Sequence, residues 1–222
     1  AVILSQFGFG ATIDFDDVTH KGITNISTDD VAVAQELGYV IKLVGDVREV
    51  ESGISAEVSP TFLPKNHPLA SVNDVMNAVF VESIGIGESM YYGPGAGQKP
   101  TATSVLADII RIARRLSDGN VGKPFNEFRR DLPLANPADV KSNYYFALDT
   151  PDEKGKILHL SEIFNSEDIS FEQVLQQKAN GTTARIVVIT HAMSKTQLKA
   201  VTEKLEAAED FTVVNTLKVL SN

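Results

Sequence analysis

Ser170-Phe171-Glu172-Gln173-Val174-Leu175-Gln176-Gln177 and Ala184-Arg185-Ile186-Val187-Val188-Ile189-Thr190, with Asn180-Gly181 between them, form the stretch on which the fold turns. Asn-Gly is the dipeptide best able to take positive φ at both central positions of a two-residue hairpin, and both flanking runs are rich in strand-forming residues. The stretch predicts strands over 170–177 and 184–190 with a turn at Asn180-Gly181. Upstream, residues 144–149 read as a strand and 156–165 as a helix. Downstream, Ser194 followed by Gln197 at the third position is a capping box, opening a helix over 194–208 before a last strand over 213–220. The order is βαββαβ, a ferredoxin-like split unit, and residues 142–222 are expected to make a complete small domain.

Before it, residues 117–141 are dense in Gly, Pro, Asn and Asp, a composition that disfavours both helix and sheet. They are read as a linker. Residues 1–116 then form a first domain. Ser27 or Thr28 caps a helix carrying Val31, Ala34, Gln35 and Leu37, and Gly38 stands where a left-handed terminating glycine belongs. Strands over 39–49, 53–59, 77–82 and 87–92 follow, with a turn at 83–87. The expected fold class is α+β, a mostly antiparallel sheet with helices on one face, followed by the βαββαβ unit. Leu106, Ile109, Ile110, Ala113 and Leu116 recur at helical spacing, so the helix from Thr101 to Leu116 is expected to bury that stripe.

The same region holds Tyr92-Gly93-Pro94-Gly95-Ala96-Gly97-Gln98-Lys99-Pro100-Thr101, a glycine-rich turn running into the helix. Its glycines permit sharp bending and close approach, and the helix start directs N–H groups back at the turn. Neither standard phosphate motif fits. Counted from Gly93, the second glycine of a P-loop falls on Gln98, and Pro100 separates Lys99 from Thr101. The third glycine of a dinucleotide fingerprint also falls on Gln98. A plain strand-to-helix turn and a cradle for a cofactor edge both stay open.

Twenty-nine acidic against 20 basic residues give the chain of 222 a formal charge of −9, which repels nucleic acid and anionic membranes. No nucleic-acid partner is expected. Cysteine is absent, which removes disulfides, thiolate nucleophiles and cysteine-held zinc. No apolar run approaches membrane-spanning length and no basic-then-apolar leader opens the chain, so the expectation is a soluble, cytoplasmic protein with no membrane partner. The apolar pattern of Val2, Ile3, Leu4, Phe7 and Phe9 reads as a helix already under way, and the N-terminus is read as a cut.

Three groups of polar residues are candidates for chemistry. Asp14, Asp16 and Asp17 match no calcium loop and are read as a solvated or capping cluster, with no metal assigned. His20, His67, His159 and His191 are scattered and support no catalytic histidine; His67, between Pro64 and Pro68, is read as structural. Gly155 precedes the helix at 156–165, where free N–H groups suit the carboxylate of an amino acid, although a capped helix without a ligand would look the same.

Taken together, residues 38–43, 60–79 and 92–108 resemble the bacterial homoserine dehydrogenase family in order and spacing. The match runs from Ala1 to about Leu116, and residues 142–222 resemble the ACT regulatory domain that ends many of these enzymes. The resemblance implies interconversion of L-aspartate 4-semialdehyde and L-homoserine, with NAD(P)H as hydride donor, in threonine and methionine biosynthesis. It also implies a Rossmann domain and a catalytic lysine lying before Ala1. No catalytic residue is therefore assigned here, Lys21, Lys42 and Lys65 are read as surface lysines, and the chain alone is expected to be inactive and to bind no NAD(P).

By the same resemblance Gly95, Ala96 and Gly97 contact the cofactor. Threonine is the expected effector, held by the backbone of Gly155, Lys156 and Ile157 at an interface between ACT units; the family's proline before that glycine is Lys154 here. A homodimer or higher homo-oligomer is expected. The alternative is a stand-alone amino-acid-binding regulatory protein that has no catalysis.

Overall fold

The computed structural model describes residues 1–120, 128–180 and 182–220. In chain order its elements are α1 (Val2–Phe9), β1 (Thr19–His20), α2 (Thr28–Glu36), β2 (Tyr39–Val50), β3 (Gly53–Pro64), β4 (Met76–Ser83), β5 (Gly87–Pro94), α3 (Gln98–Ser117), β6 (Lys141–Pro151), α4 (Lys156–Asn165), β7 (Phe171–Asn180), β8 (Thr183–Thr190), β9 (Met193–Ser194), α5 (Lys195–Ala207) and β10 (Thr212–Val219). They gather into two compact units, one of residues 1–64 with 129–222, the other of residues 65–128. This spatial grouping differs from the division at 117–141 read from composition.

In the first unit the βαββαβ order forms as expected, with β10, β6, β8 and β7 side by side and antiparallel throughout. Asn180 pairs with Thr183, which leaves two residues for the hairpin connection; Gly181 of the expected turn lies outside the described residues. The sheet does not stop at β10. Lys218 and Val219 run parallel to Thr61 and Phe62 of β3, and β3 pairs along its whole length with β2. β1 joins β3 through Glu57 and Val58. Strand β3 continues through Pro60, where 53–59 was expected, because the proline falls between the β1 and β10 pairings and no ladder bond to either is lost.

Helices cover both faces of this sheet, correcting the expectation of one. Tyr144, Phe146 and Leu148 of β6 pack with Ile186 and Val188 of β8 against Leu160 and Phe164 of α4 and Val201 and Leu205 of α5. The alternate residues Tyr145 and Ala147 pack with Val187, Ile189, Leu217 and Phe62 against Val33 and Ala34 of α2. Each buried Val, Leu, Ile or Phe among them stabilises the fold by about 1.5–3 kcal/mol. The second face depends on α2, a helix that precedes β6 by more than 100 residues, so residues 142–222 do not bury their sheet alone.

Local rules set the helix ends. Ser27 is the cap of α2: its Oγ accepts from Asp30 N at 3.1 Å, and the Asp30 carboxylate accepts from Ser27 N at 2.9 Å. Gly38, at φ 86, follows the last turn. Ser194 and Gln197 exchange the corresponding bonds at α5. Around a short 3-10 turn the Asp17 carboxylate accepts from Asp14 N at 3.3 Å, which gives that carboxylate a structural task. The segment read as a linker is pinned in part: Ile54 N donates to Pro133 O at 2.9 Å and Ala135 N to Ile54 O at 2.9 Å. Gly53 is needed there, since a Cβ would lie 2.1 Å from Pro133 O.

The second unit holds β4 and β5, paired antiparallel as a two-stranded ribbon of their own rather than as part of the larger sheet, and α3. Helix α3 begins at Gln98, three residues before the expected start, because Pro100 sits in the first turn where a missing N–H costs nothing. The expected burial of its apolar stripe is not seen: Leu106, Ile109, Ile110 and Leu116 are all exposed. Ile84 and Ile86 at the ribbon tip are exposed too.

Candidate functional site

The turn from Gly93 to Gly97 closes the β4–β5 ribbon and opens α3. Asn77 pairs with Gly93 in the ladder, and Gly95 N donates to Val75 O at 2.9 Å, so the backbone is held on one side. Gly97, at φ 120, is the N-cap residue, a conformation that favours glycine. No side chain caps α3 among the described residues, which leaves the N–H groups of Gln98 and Lys99 at the head of a 20-residue helix. Gly95, Ala96 and Gly97 are exposed. The structure thus brings the three expected cofactor residues together on one open stretch of backbone.

A neighbour that sequence reasoning missed explains Gly95. A Cβ built there would lie 1.4 Å from Asn77 Nδ2 and 2.5 Å from Asn77 Cγ, so the Asn77 carboxamide occupies the space that any other residue would fill. The pairing of 77 with 93 across the ribbon was the available signal. His67 has a structural role, as expected: its Nδ1 accepts from Leu69 N at 3.2 Å and its ring lies against Phe80, with centroids 4.9 Å apart. Burial holds its pKa below the ordinary value.

In the first unit, Gly155 is the N-cap of α4 at φ 92, again with no side-chain cap among the described residues. Gly155, Lys156 and Ile157 line a cleft of about 330 Å³ whose other walls include Thr150, Asp152 and Gln176. The Lys156 ammonium is engaged elsewhere, 2.6 Å from Asp210 and 3.2 Å from Glu153, and Asp210 chiefly raises its pKa. Lys156 therefore offers the cleft its backbone. Asp210 is held below the usual carboxylate range by Lys156 first and by His159, whose Nδ1 is 2.8 Å away, second.

A buried charge cluster, also missed, lies where β3 meets β10. Lys218 is 6% exposed and its ammonium bridges Asp46 and Glu57. Lys195 stands 2.7 Å from Glu57, and Arg48 2.9 Å from Asp46. Burial alone would push the Glu57 carboxyl up; Lys218 and Lys195 outweigh it and hold it at about 2. Burial, with Glu57 beside it, pushes the Tyr144 hydroxyl up to about 12. On the opposite face Asp30, 1% exposed, accepts from Tyr145 Oη at 2.9 Å and Asn215 Nδ2 at 3.0 Å. Burial works against Asp30, yet the bonds from Ser27, Asn215 and Tyr145 keep its pKa low. Lys21 is exposed, as expected, and also donates to Asn215 Oδ1 at 3.2 Å and to Thr216 O at 2.7 Å, tying the β1 end to β10. A charged residue alternating with apolar ones in Leu217-Lys218-Val219 was the trace of this cluster in the sequence.

Among the described residues no group of three or more His, Cys, Asp or Glu could hold a metal ion, and no helix is long and apolar enough to cross a membrane.

Comparison with known proteins adds a third line. Residues 1–110 match the family model described as homoserine dehydrogenase. The chain is 58% identical over 220 residues to the homoserine dehydrogenase of Lactococcus lactis subsp. lactis, covering 99% of this chain and 51% of that protein. It is 34% identical over 209 residues to that of Bacillus subtilis, covering 93% and 48%. The solved structure of a homoserine dehydrogenase from Thiobacillus denitrificans superposes with a TM-score of 0.90 at 30% identity, over 99% of this chain and 51% of that one. The chain spans about half the length of the relatives it matches.

Proposed function

The chain belongs to the homoserine dehydrogenase family, and on that premise we propose that it forms about half of an NAD(P)-dependent oxidoreductase interconverting L-aspartate 4-semialdehyde and L-homoserine. The observation that carries this reading is the open glycine turn at the head of α3, inside the stretch the family model matches. Its geometry fits the group: the backbone of Gly95, Ala96 and Gly97 is exposed, so a flat ring can approach it on the side away from Asn77, and the uncapped N–H groups of α3 favour a polar or anionic edge. NAD(P)H supplies the hydride that reduces the aldehyde carbon. This chain positions the cofactor through Gly95, Ala96 and Gly97, and the bond from Gly95 N to Val75 O anchors the turn to the strand register. By the family resemblance the lysine that donates the proton and the Rossmann domain that holds NAD(P) both lie outside these 222 residues, which alone are therefore inactive and do not hold NAD(P).

Residues 142–222 act, in this reading, as an ACT regulatory domain, with residues 1–116 the catalytic and dimerisation part. Support comes from the β10-β6-β8-β7 order and from the cleft at the uncapped start of α4. Threonine would place its carboxylate on the backbone of Gly155, Lys156 and Ile157 as a feedback effector. Homo-oligomerisation accounts for the apolar groups on α3 and the β4–β5 ribbon, because a two-stranded ribbon is marginal by itself. The test is Gly95→Val in the longer enzyme. Its KM for NAD(P)H should rise at least tenfold with the fold retained by circular dichroism, and unchanged steady-state kinetics would refute the assignment. A stand-alone regulatory protein would instead bind threonine and show no turnover in its longest natural form.

A further inference from the structure

Resting on the effector reading of the α4 cleft, we infer that Arg185 couples that cleft to α2 and so carries the presence of an effector into residues 1–116. The cleft and α2 lie on opposite faces of one strand pair, at the same end of it. Thr150, Ala184 and Ile186 form the cleft floor, and Pro151 to Gly155, the turn in which β6 ends, form its rim. Asp149 and Arg185 alternate to the other face, where Tyr145 and Ala147 of β6 and Val187 and Ile189 of β8 pack against Val33 and Ala34 of α2. Asp149 and Arg185 stand opposite each other in the β6–β8 ladder, one step from the paired Thr150 and Ala184.

The Arg185 guanidinium grips Asp149 twice, Nε to Oδ1 at 2.8 Å and Nη2 to Oδ2 at 3.1 Å, and extends Nη1 to Asp29 Oδ2 at 3.4 Å. The first two bonds fix the fork to the strand pair. The third reaches α2, where Asp29 stands in the first turn. N–H···O bonds ordinarily span about 2.7–3.2 Å, so the reach to Asp29 is at its limit and a shift of about 0.3 Å makes or loses it. The start of α2 cannot follow the fork, because the adjacent Asp30 is held by Tyr145 Oη at 2.9 Å and Asn215 Nδ2 at 3.0 Å. Two states result, one with the fork bridging to α2 and one with it confined to Asp149. An occupant of the cleft rests on the turn that begins two residues past Asp149, and Asp152 N donates to Thr182 O at 3.0 Å, so the same contact also grips the start of β8. Such an occupant meets the two states with different strand-end positions, and unequal affinity for two states is what coupling requires. Beyond α2 the chain runs through Gly38 into β2. Asp29 lies within residues 1–110, matched by the family model, and Arg185 lies outside them, so the bridge joins the parts assigned to catalysis and to regulation.

The experiment is steady-state turnover of the longer natural polypeptide with and without saturating threonine, with threonine binding followed by calorimetry. The quantity read is the ratio of kcat/KM without threonine to kcat/KM at saturation. Asp29→Asn cuts only the bridge to α2. Its side chain is exposed, so turnover without threonine should be unchanged, while the ratio should fall about threefold, the worth of one partly exposed ion pair. Arg185→Gln should lower the ratio at least as far, and the double variant no further than Arg185→Gln alone, because both substitutions cut one bridge. Asp29→Glu keeps the charge and should keep the wild-type ratio. Ratios within about 1.5-fold of wild type in Asp29→Asn, or losses that multiply in the double variant, overturn the role of Arg185 and leave the effector site standing. If Arg185→Gln fails to fold, Asp29→Asn against Asp29→Glu decides. Threonine that does not bind the wild type at millimolar concentration, or binds without slowing turnover, overturns the effector reading, and this inference with it.

Discussion

Replacing Lys218 with methionine removes one charge from the buried cluster at the β3–β10 junction while keeping most of the side-chain stem. Lys218 is the shared cation of Asp46 and Glu57, and Lys218 and Glu57 are 6% and 7% exposed, so solvent does little to replace it. Breaking a buried pair by deleting one partner costs about 3–5 kcal/mol when the other is left without a counter-charge. Here each carboxylate keeps one neighbour, Lys195 at 2.7 Å for Glu57 and Arg48 at 2.9 Å for Asp46. The expected loss is therefore smaller, about 2–3 kcal/mol. The pH dependence gives a second reading. Glu57 sits at about 2 in the fold against 4.5 in an unperturbed glutamate. Because the folded value is the lower one, this stabilisation is complete above pH 4.5 and lost as pH falls toward 2. At about 1.4 kcal/mol per tenfold change in proton affinity it amounts to about 3 kcal/mol. Urea unfolding of wild type and Lys218→Met between pH 7 and pH 3 measures both effects. The variant should be less stable at pH 7 and should lose less on acidification. A deficit below about 0.5 kcal/mol at neutral pH, or an acid limb as steep as that of the wild type, would refute the reasoning.

Two other substitutions probe the sites separately. Gly95→Ala puts a methyl where the Asn77 carboxamide lies, and because the exposed Asn77 side chain can turn into solvent the change should cost about 1 kcal/mol; Asn77→Ala should relieve most of it, with a coupling of about 0.5–1 kcal/mol in a double-mutant cycle followed by urea unfolding. Additivity within about 0.3 kcal/mol would show that the two do not share that space. Tyr145→Phe removes the 2.9 Å bond to Asp30 and should cost about 1.5–3 kcal/mol by thermal or urea unfolding, whereas a neutral result would mean that Ser27 and Asn215 satisfy the carboxylate without it.

Much of the fold could be read from residues whose effect is local. Ser27 and Ser194 as caps, Gly38 after α2 and the Asn180 hairpin register rest on backbone chemistry within a few residues, and the structure places each where that chemistry requires. The uninterrupted run Tyr144-Tyr145-Phe146-Ala147-Leu148 held more than a strand assignment: an antiparallel strand exposed on one face would alternate with polar residues, and a continuous run means cover on both. What covers the second face could not be read, since α2 and β6 are far apart in the sequence and meet only through packing. The α3 stripe failed for a related reason. Helical spacing shows that a face is apolar, and not which surface it meets. In the candidate sites the glycines were legible because turn chemistry marks them. Asn77 was not, because an amide on a strand acquires meaning only from what lies across from it.

We propose that these residues complete a nucleotide-dependent oxidoreductase without carrying its chemistry alone. The most direct measurement is spectrophotometric oxidation of NADPH and NADH with L-aspartate 4-semialdehyde, run on the 222-residue chain and on the longer natural polypeptide that contains it. The account predicts turnover by the longer polypeptide and none by the chain alone. Aldehyde reduction by the isolated chain, or its absence from the longer polypeptide with both cofactors, would contradict it.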